Sequence, residues 1–109
     1  GYLNIQDCVS GILYAINKSK NRVNIFNLGT LETCTVKDSI KWISKKMNCN
    51  PKLNFSGGNQ GWIGDNPIIQ VDPEFIESLG WTANHNIKTS IEDTVEWLLD
   101  NKWCFEYRD

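Results

Sequence analysis

Val23-Asn24-Ile25-Phe26-Asn27-Leu28-Gly29 is the stretch on which the fold class turns. β-Branched and aromatic residues dominate it and a glycine closes it, the pattern of a β-strand. Upstream, Val9, Ile12, Leu13 and Ile16 recur at helical spacing, with Asp7 placed to cap the first turn. Lys18 and Lys20 suit the negative carbonyl end of that helix near Ser19. Ahead of it, Tyr2-Leu3-Asn4-Ile5 alternates and reads as a short extended segment. Downstream, Thr35 with Asp38 opens a second helix through a capping box. Its stripe is Val36, Ile40, Ile43 and Met47, and Asn50-Pro51 ends it. Residues 52–55 and 68–71 read as further short strands around a loop at 56–67. Asp72-Pro73 starts a brief helix that stops at Gly80. Thr89-Ser90-Ile91-Glu92 reads as the capping box of a last helix striped by Ile91, Val95, Leu98 and Leu99. This order predicts an α/β fold, with short strands packed on three or four helices.

The chain has 109 residues, too few for a second core, so residues 1–109 read as a single domain. Its formal net charge of -2 offers no excess of cations to coat nucleic acid. No apolar run reaches the roughly 20 residues that span a bilayer. With no secretory signal, a cytoplasmic location is expected. The strands are few and short, and at this size burial barely offsets chain entropy. The first residue is Gly1, not Met, so a piece of a larger protein is expected. Such a piece would leave an apolar surface near residues 23–28 that favours self-association into a homo-oligomer.

Cys8, Cys34, Cys49 and Cys104 form no C-x-x-C pair, and His85 is the only histidine, so no zinc set is expected. The thiols read as reduced, mostly buried packing groups. Tyr14 and Lys18 share a helix face in the Tyr-x-x-x-Lys spacing of a proton-transfer pair; the plainer reading is a half-buried tyrosine beside a solvated lysine. No G-x-G-x-x-G follows a strand, and no G-x-x-x-x-G-K-[ST] is present. His85, without a nucleophile elbow, reads as a turn histidine and not as a catalytic base. No catalytic residue is assigned.

The loop Ser56-Gly57-Gly58-Asn59-Gln60-Gly61-Trp62-Ile63-Gly64-Asp65-Asn66-Pro67 carries the ligand chemistry. Its glycines allow close approach of a ligand, Trp62 offers a flat apolar face and Asp65 can accept from hydroxyls. A tight connection with Trp62 filling the core accounts for the same residues.

Taken together, these segments resemble a family. Tyr2-Leu3-Asn4-Ile5-Gln6-Asp7-Cys8-Val9, Phe26-Asn27-Leu28-Gly29-Thr30 and Thr35-Val36 are similar to successive motifs of the NAD-dependent sugar-nucleotide epimerase/dehydratases. So are Gly61-Trp62-Ile63-Gly64-Asp65-Asn66-Pro67, then Asp72 with Leu79-Gly80-Trp81, then Ser90-Ile91-Glu92-Asp93-Thr94-Val95-Glu96-Trp97. These enzymes are extended short-chain dehydrogenase/reductases, and the most similar branch is that of UDP-glucose 4-epimerase. The resemblance runs in order from Tyr2 to about Trp103.

The resemblance implies a small C-terminal substrate-binding region with the Rossmann nucleotide-binding core absent. The family's dinucleotide fingerprint and catalytic Tyr-x-x-x-Lys lie upstream of where this chain begins, so Tyr14 and Lys18 are not that pair. NAD is implied for the parent enzyme and none for this chain alone. The implied partners are a nucleotide-sugar substrate and the missing N-terminal Rossmann half; the 109 residues by themselves are expected to be inactive. By the same matching, Asp65 contacts the nucleotide, and Asn59, Gln60 and Trp62 complete the substrate-binding set. Gln60 departs from the pattern, because it stands where an arginine often pairs with the diphosphate. A neutral amide cannot make that bidentate, charge-assisted contact. The alternative is a non-enzymatic binding or assembly module from a degenerate paralogue.

Overall fold

The computed structural model describes residues 2–58 and 70–106. Its elements are four α-helices, α1 (Ile5–Lys18), α2 (Val36–Lys46), α3 (Glu74–Ser78) and α4 (Ile87–Asp100), and a 3-10 turn at Lys102–Phe105. Among the described residues there is no strand, which corrects the α/β expectation. Residues 23–28 and 52–55 make no ladder, and 68–69 lie outside the described residues. The physical reason is that strand propensity is a preference for a pleated, half-buried surface, and a strand exists only beside a partner backbone. Among the described residues no backbone pairs with these two segments, and Val23 and Ile25 stand 73% and 80% exposed.

The helices start where side-chain oxygens meet their free N–H groups. At α2 the expected capping box forms: Thr35 Oγ1 accepts from Asp38 N at 3.1 Å, and Asp38 Oδ2 accepts from Thr35 N at 3.1 Å. Two starts differ from expectation. Asn4, not Asp7, caps α1, its side chain accepting from Gln6 N at 2.8 Å. Asn86 caps α4 by accepting from Thr89 N at 2.8 Å, so Thr89 to Glu92 lie inside the helix. Asparagine is at least as good a cap as threonine, and the earlier start adds a turn. Asp72 does accept from Glu74 N at 2.9 Å, but α3 starts one residue later than the Asp-Pro pattern predicts, with Pro73 at the N-cap position. Gly80 ends that stretch at φ 106°, where a Cβ would also meet the Tyr14 hydroxyl at 2.9 Å.

Helix α1 presents an inverted face. Asp7 and Gly11 are buried and Tyr14 is half-buried, at successive i, i+4, i+7 positions, while Ile5, Val9, Ile12, Leu13 and Ile16 point to solvent. Gly11 allows this approach: a Cβ there would meet Leu28 Cδ2 at 2.8 Å and Trp81 Cζ2 at 3.1 Å. The expected apolar stripe is real as a pattern, but it is not the packed face. Among the described residues the buried apolar side chains are Ile76, Trp81, Ile87 and Val95. The accessible surface is 9135 Å², against about 6,200 Å² for a compact monomer of this size. The four cysteines are free thiols; Cys8, Cys34 and Cys104 are half-buried and Cys49 is exposed, so none fills the core as expected.

Candidate functional site

The flanks of the 56–67 loop are fixed from two sides. On the entering side, Phe55 lies under Lys37 of α2, whose Nζ is 5.4 Å from the ring centroid. Gly57 and Gly58 follow at φ 76° and 106°, the left-handed backbone that glycine tolerates. On the returning side, Gln70 Nε2 donates to the Leu31 carbonyl at 3.2 Å. Asn59, Gln60, Trp62 and Asp65, the substrate-binding residues named from sequence, all lie outside the described residues.

Around these flanks a set of long-range polar ties holds the helices together. The Asp7 carboxylate accepts from His85 N at 2.9 Å, with His85 Nδ1 3.0 Å from its other oxygen. Burial pushes the Asp7 carboxyl up, but the bonds from the His85 backbone and ring and from the Asn84 backbone outweigh it and hold the carboxyl below its usual range. Glu32 Oε2 accepts from Ile87 N at 2.7 Å at the start of α4. Trp81 Nε1 donates to Ser10 Oγ at 3.1 Å, and the Tyr14 hydroxyl donates to the Leu79 carbonyl at 2.5 Å. Sequence reading missed the Asp7–His85 and Glu32–Ile87 ties, because separations of 78 and 55 residues leave no local pattern.

These assignments bear on the catalytic candidates. Lys18 Nζ sits 5.4 Å from the Tyr14 ring centroid while the hydroxyl is committed to Leu79, so the pair serves packing. His85 is oriented by Asp7, but among the described residues no hydroxyl or thiol is hydrogen-bonded to its ring. No group of three His, Cys, Asp or Glu that could hold a metal occurs among the described residues.

No family model matches the chain. It is 31% identical over 99 residues to UDP-arabinose 4-epimerase 1 of Arabidopsis thaliana, covering 88% of this chain and 23% of that protein. It is 27% identical over 103 residues to UDP-glucose 4-epimerase of Haemophilus influenzae, covering 92% of this chain and 30% of that one. The chain is a homologue of UDP-sugar 4-epimerases. The match is to their C-terminal region, and the chain spans about a quarter of the length of these relatives.

Among the described residues, Asn4 accepts from Gln6 N at the start of α1, Thr35 from Asp38 N at α2, and Asn86 and Glu32 from Thr89 N and Ile87 N at α4. No helix of the described residues is long and apolar enough to cross a membrane.

Proposed function

We propose that this chain is the substrate-side, C-terminal part of an NAD-dependent UDP-sugar 4-epimerase of the extended short-chain dehydrogenase/reductase type, located in the cytoplasm. Residues 1–109 act as one domain. Asp65, Trp62, Gln60 and Asn59 contribute the nucleotide-sugar wall, and an N-terminal Rossmann half carries NAD and the redox chemistry. The observation that supports this most is identity of about 30% spread over 88–92% of the chain.

The test is calorimetric titration of the 109-residue chain with UDP, UDP-glucose and dTDP-glucose, paired with a turnover assay on UDP-galactose plus NAD. Binding of a UDP ligand without turnover is expected. Turnover by the chain alone would overturn the division of labour. Gln60 favours one second reading, a non-enzymatic binding or assembly module, since the diphosphate loses its cationic partner. Absence of heat with all three ligands would support that reading.

A further inference from the structure

Charge is unevenly spread along this chain. Its formal net charge is -2, yet residues 37–52 hold Lys37, Lys41, Lys45, Lys46 and Lys52 against a single acid, Asp38. Two of these groups are already engaged. Lys46 Nζ lies 2.7 Å from Glu96 Oε2 of α4. Asp38 Oδ2 accepts from the Thr35 hydroxyl at 2.6 Å and from Thr35 N at 3.1 Å. Lys37, Lys41 and Lys45 stand exposed on α2, and among the described residues none of them forms an ion pair.

Their spacing is i, i+4, i+8, which sets successive lysines about 6 Å apart along one helix face. Beside this line, α2 and residues 50–55 form an open notch of about 320 Å³. Lys37 and Lys41 contribute its charge, and Ile40, Pro51, Leu53 and Phe55 its apolar lining. Leu53 and Phe55 are half exposed, and Lys37 Nζ stands 5.4 Å from the Phe55 ring centroid.

This combination restricts the occupant. A small phosphorylated ligand needs enclosure and several convergent polar groups. Here the notch is open, and Ser44 and Asn50 are the polar side chains that line it besides the lysines. A long polyanion such as nucleic acid would also meet the remainder of the chain, which carries a net negative charge. A short acidic peptide avoids that repulsion and complements the lysine line. In an extended chain, alternate side chains lie about 6.7 Å apart, so carboxylates two residues apart match neighbouring lysines.

We infer that α2 and residues 50–55 dock an extended acidic peptide, with its carboxylates on Lys37 and Lys41 and an apolar side chain against Leu53 and Phe55. Such docking needs neither NAD nor a sugar nucleotide, so failure of the epimerase reading would leave it standing.

The probe is a fluorescein-labelled Gly-Glu-Ser-Glu-Ser-Phe-Gly peptide, titrated with the 109-residue chain and followed by fluorescence anisotropy. Lys37→Glu with Lys41→Glu is expected to raise the dissociation constant by about tenfold or more. Lys37→Gln with Lys41→Gln, which removes charge without reversing it, should give a smaller loss in the same direction. Leu53→Ser should weaken binding by about threefold or more. Lys20→Glu with Arg22→Glu makes an equal change of charge at exposed residues elsewhere, and should shift the constant by less than about twofold. Circular dichroism checks that each variant keeps its helices. Absence of binding, equal losses in the two charge-reversed pairs, or equal affinity for a peptide with glutamine in place of glutamate would overturn the inference. Pyrophosphate that displaces the peptide at matched ionic strength would assign the lysines to a phosphate ligand instead. Tighter binding of a single-stranded oligonucleotide, or a dimer of the chain that Lys37→Glu with Lys41→Glu dissociates, would likewise overturn it in favour of that occupant.

Discussion

The Asp7 carboxylate and the His85 backbone N–H lie 2.9 Å apart, joining the first turn of α1 to the residue before the cap of α4. This tie, with the ring nitrogen at 3.0 Å, makes Asp7 both a buried group and a bridge. Asp7→Ala should cost about 2–3 kcal/mol, the cost of losing a charge-assisted, buried acceptor and leaving its donors unpaired. Urea denaturation followed by circular dichroism measures it. His85→Ala should cost less, because the backbone N–H survives the change.

The same bonds set a pH dependence. The Asp7 carboxyl is held below its usual range in the fold, so the unfolded chain takes up its proton first. Its stabilisation is fully present above the ordinary carboxylate range and is lost as pH falls through the lowered value. Asp38, lowered by Thr35, and Glu96, lowered by Lys46, act in the same direction. Denaturation midpoints measured from pH 6 down to about 2 should therefore fall, and Asp7→Asn should flatten part of that fall. An unchanged slope would show that Asp7 is not the coupled group.

Two glycines with left-handed backbone differ in their surroundings. Gly80 at φ 106° faces the Tyr14 hydroxyl, while Gly57 at φ 76° has nothing within 4 Å of a Cβ. Gly57→Ala should cost about 1 kcal/mol from backbone strain alone. Gly80→Ala should cost more, since it also displaces the oxygen that bonds Leu79. Thermal melts of the two variants side by side decide the order.

Helix existence was legible because caps and apolar spacing are local. The Thr35–Asp38 box is legible from four residues, whereas the Asp72-Pro73 pair places the start of α3 one residue early. The start of α4 was displaced because two adequate caps, Asn86 and Thr89, stand three residues apart and only the fold chooses between them. Strand content was illegible for another reason. Val23 to Leu28 has the composition of a strand, but a ladder depends on a neighbouring backbone that its own residues cannot supply. The inward face of α1 was equally hidden, since Asp7, Gly11 and Tyr14 pack against residues 17 to 78 positions away, not in a local pattern. For the ligand wall, sequence supplied Asn59, Gln60, Trp62 and Asp65 through resemblance.

Gln60 gives the substrate-side proposal its sharpest check. If it occupies the place of a diphosphate-pairing arginine, Gln60→Arg should tighten UDP binding by about tenfold or more, because a fork of charged donors replaces a neutral amide. Asp65→Ala should weaken binding of the same ligand and leave the melting temperature unchanged. Calorimetry on the three proteins reads both effects. A Gln60→Arg variant that binds UDP no better than the parent chain would place the diphosphate elsewhere.

The outward stripe of α1 leads to the last expectation. Ile5, Val9, Ile12 and Ile16 line one helix face, and residues 23–28 add Val23 and Ile25, with no ladder to any strand among the described residues. An apolar helix face and an unpaired extended segment together form a surface that water does not favour, so the isolated chain should self-associate as its concentration rises. Ile12→Glu with Ile16→Glu should reverse this without loss of stability, since both side chains are already exposed and glutamate has good helix propensity. Light scattering behind size-exclusion chromatography is the measurement. Association that persists in the double variant would shift the contact to residues 23–28, where Val23→Lys and Ile25→Lys would then be the changes that abolish it.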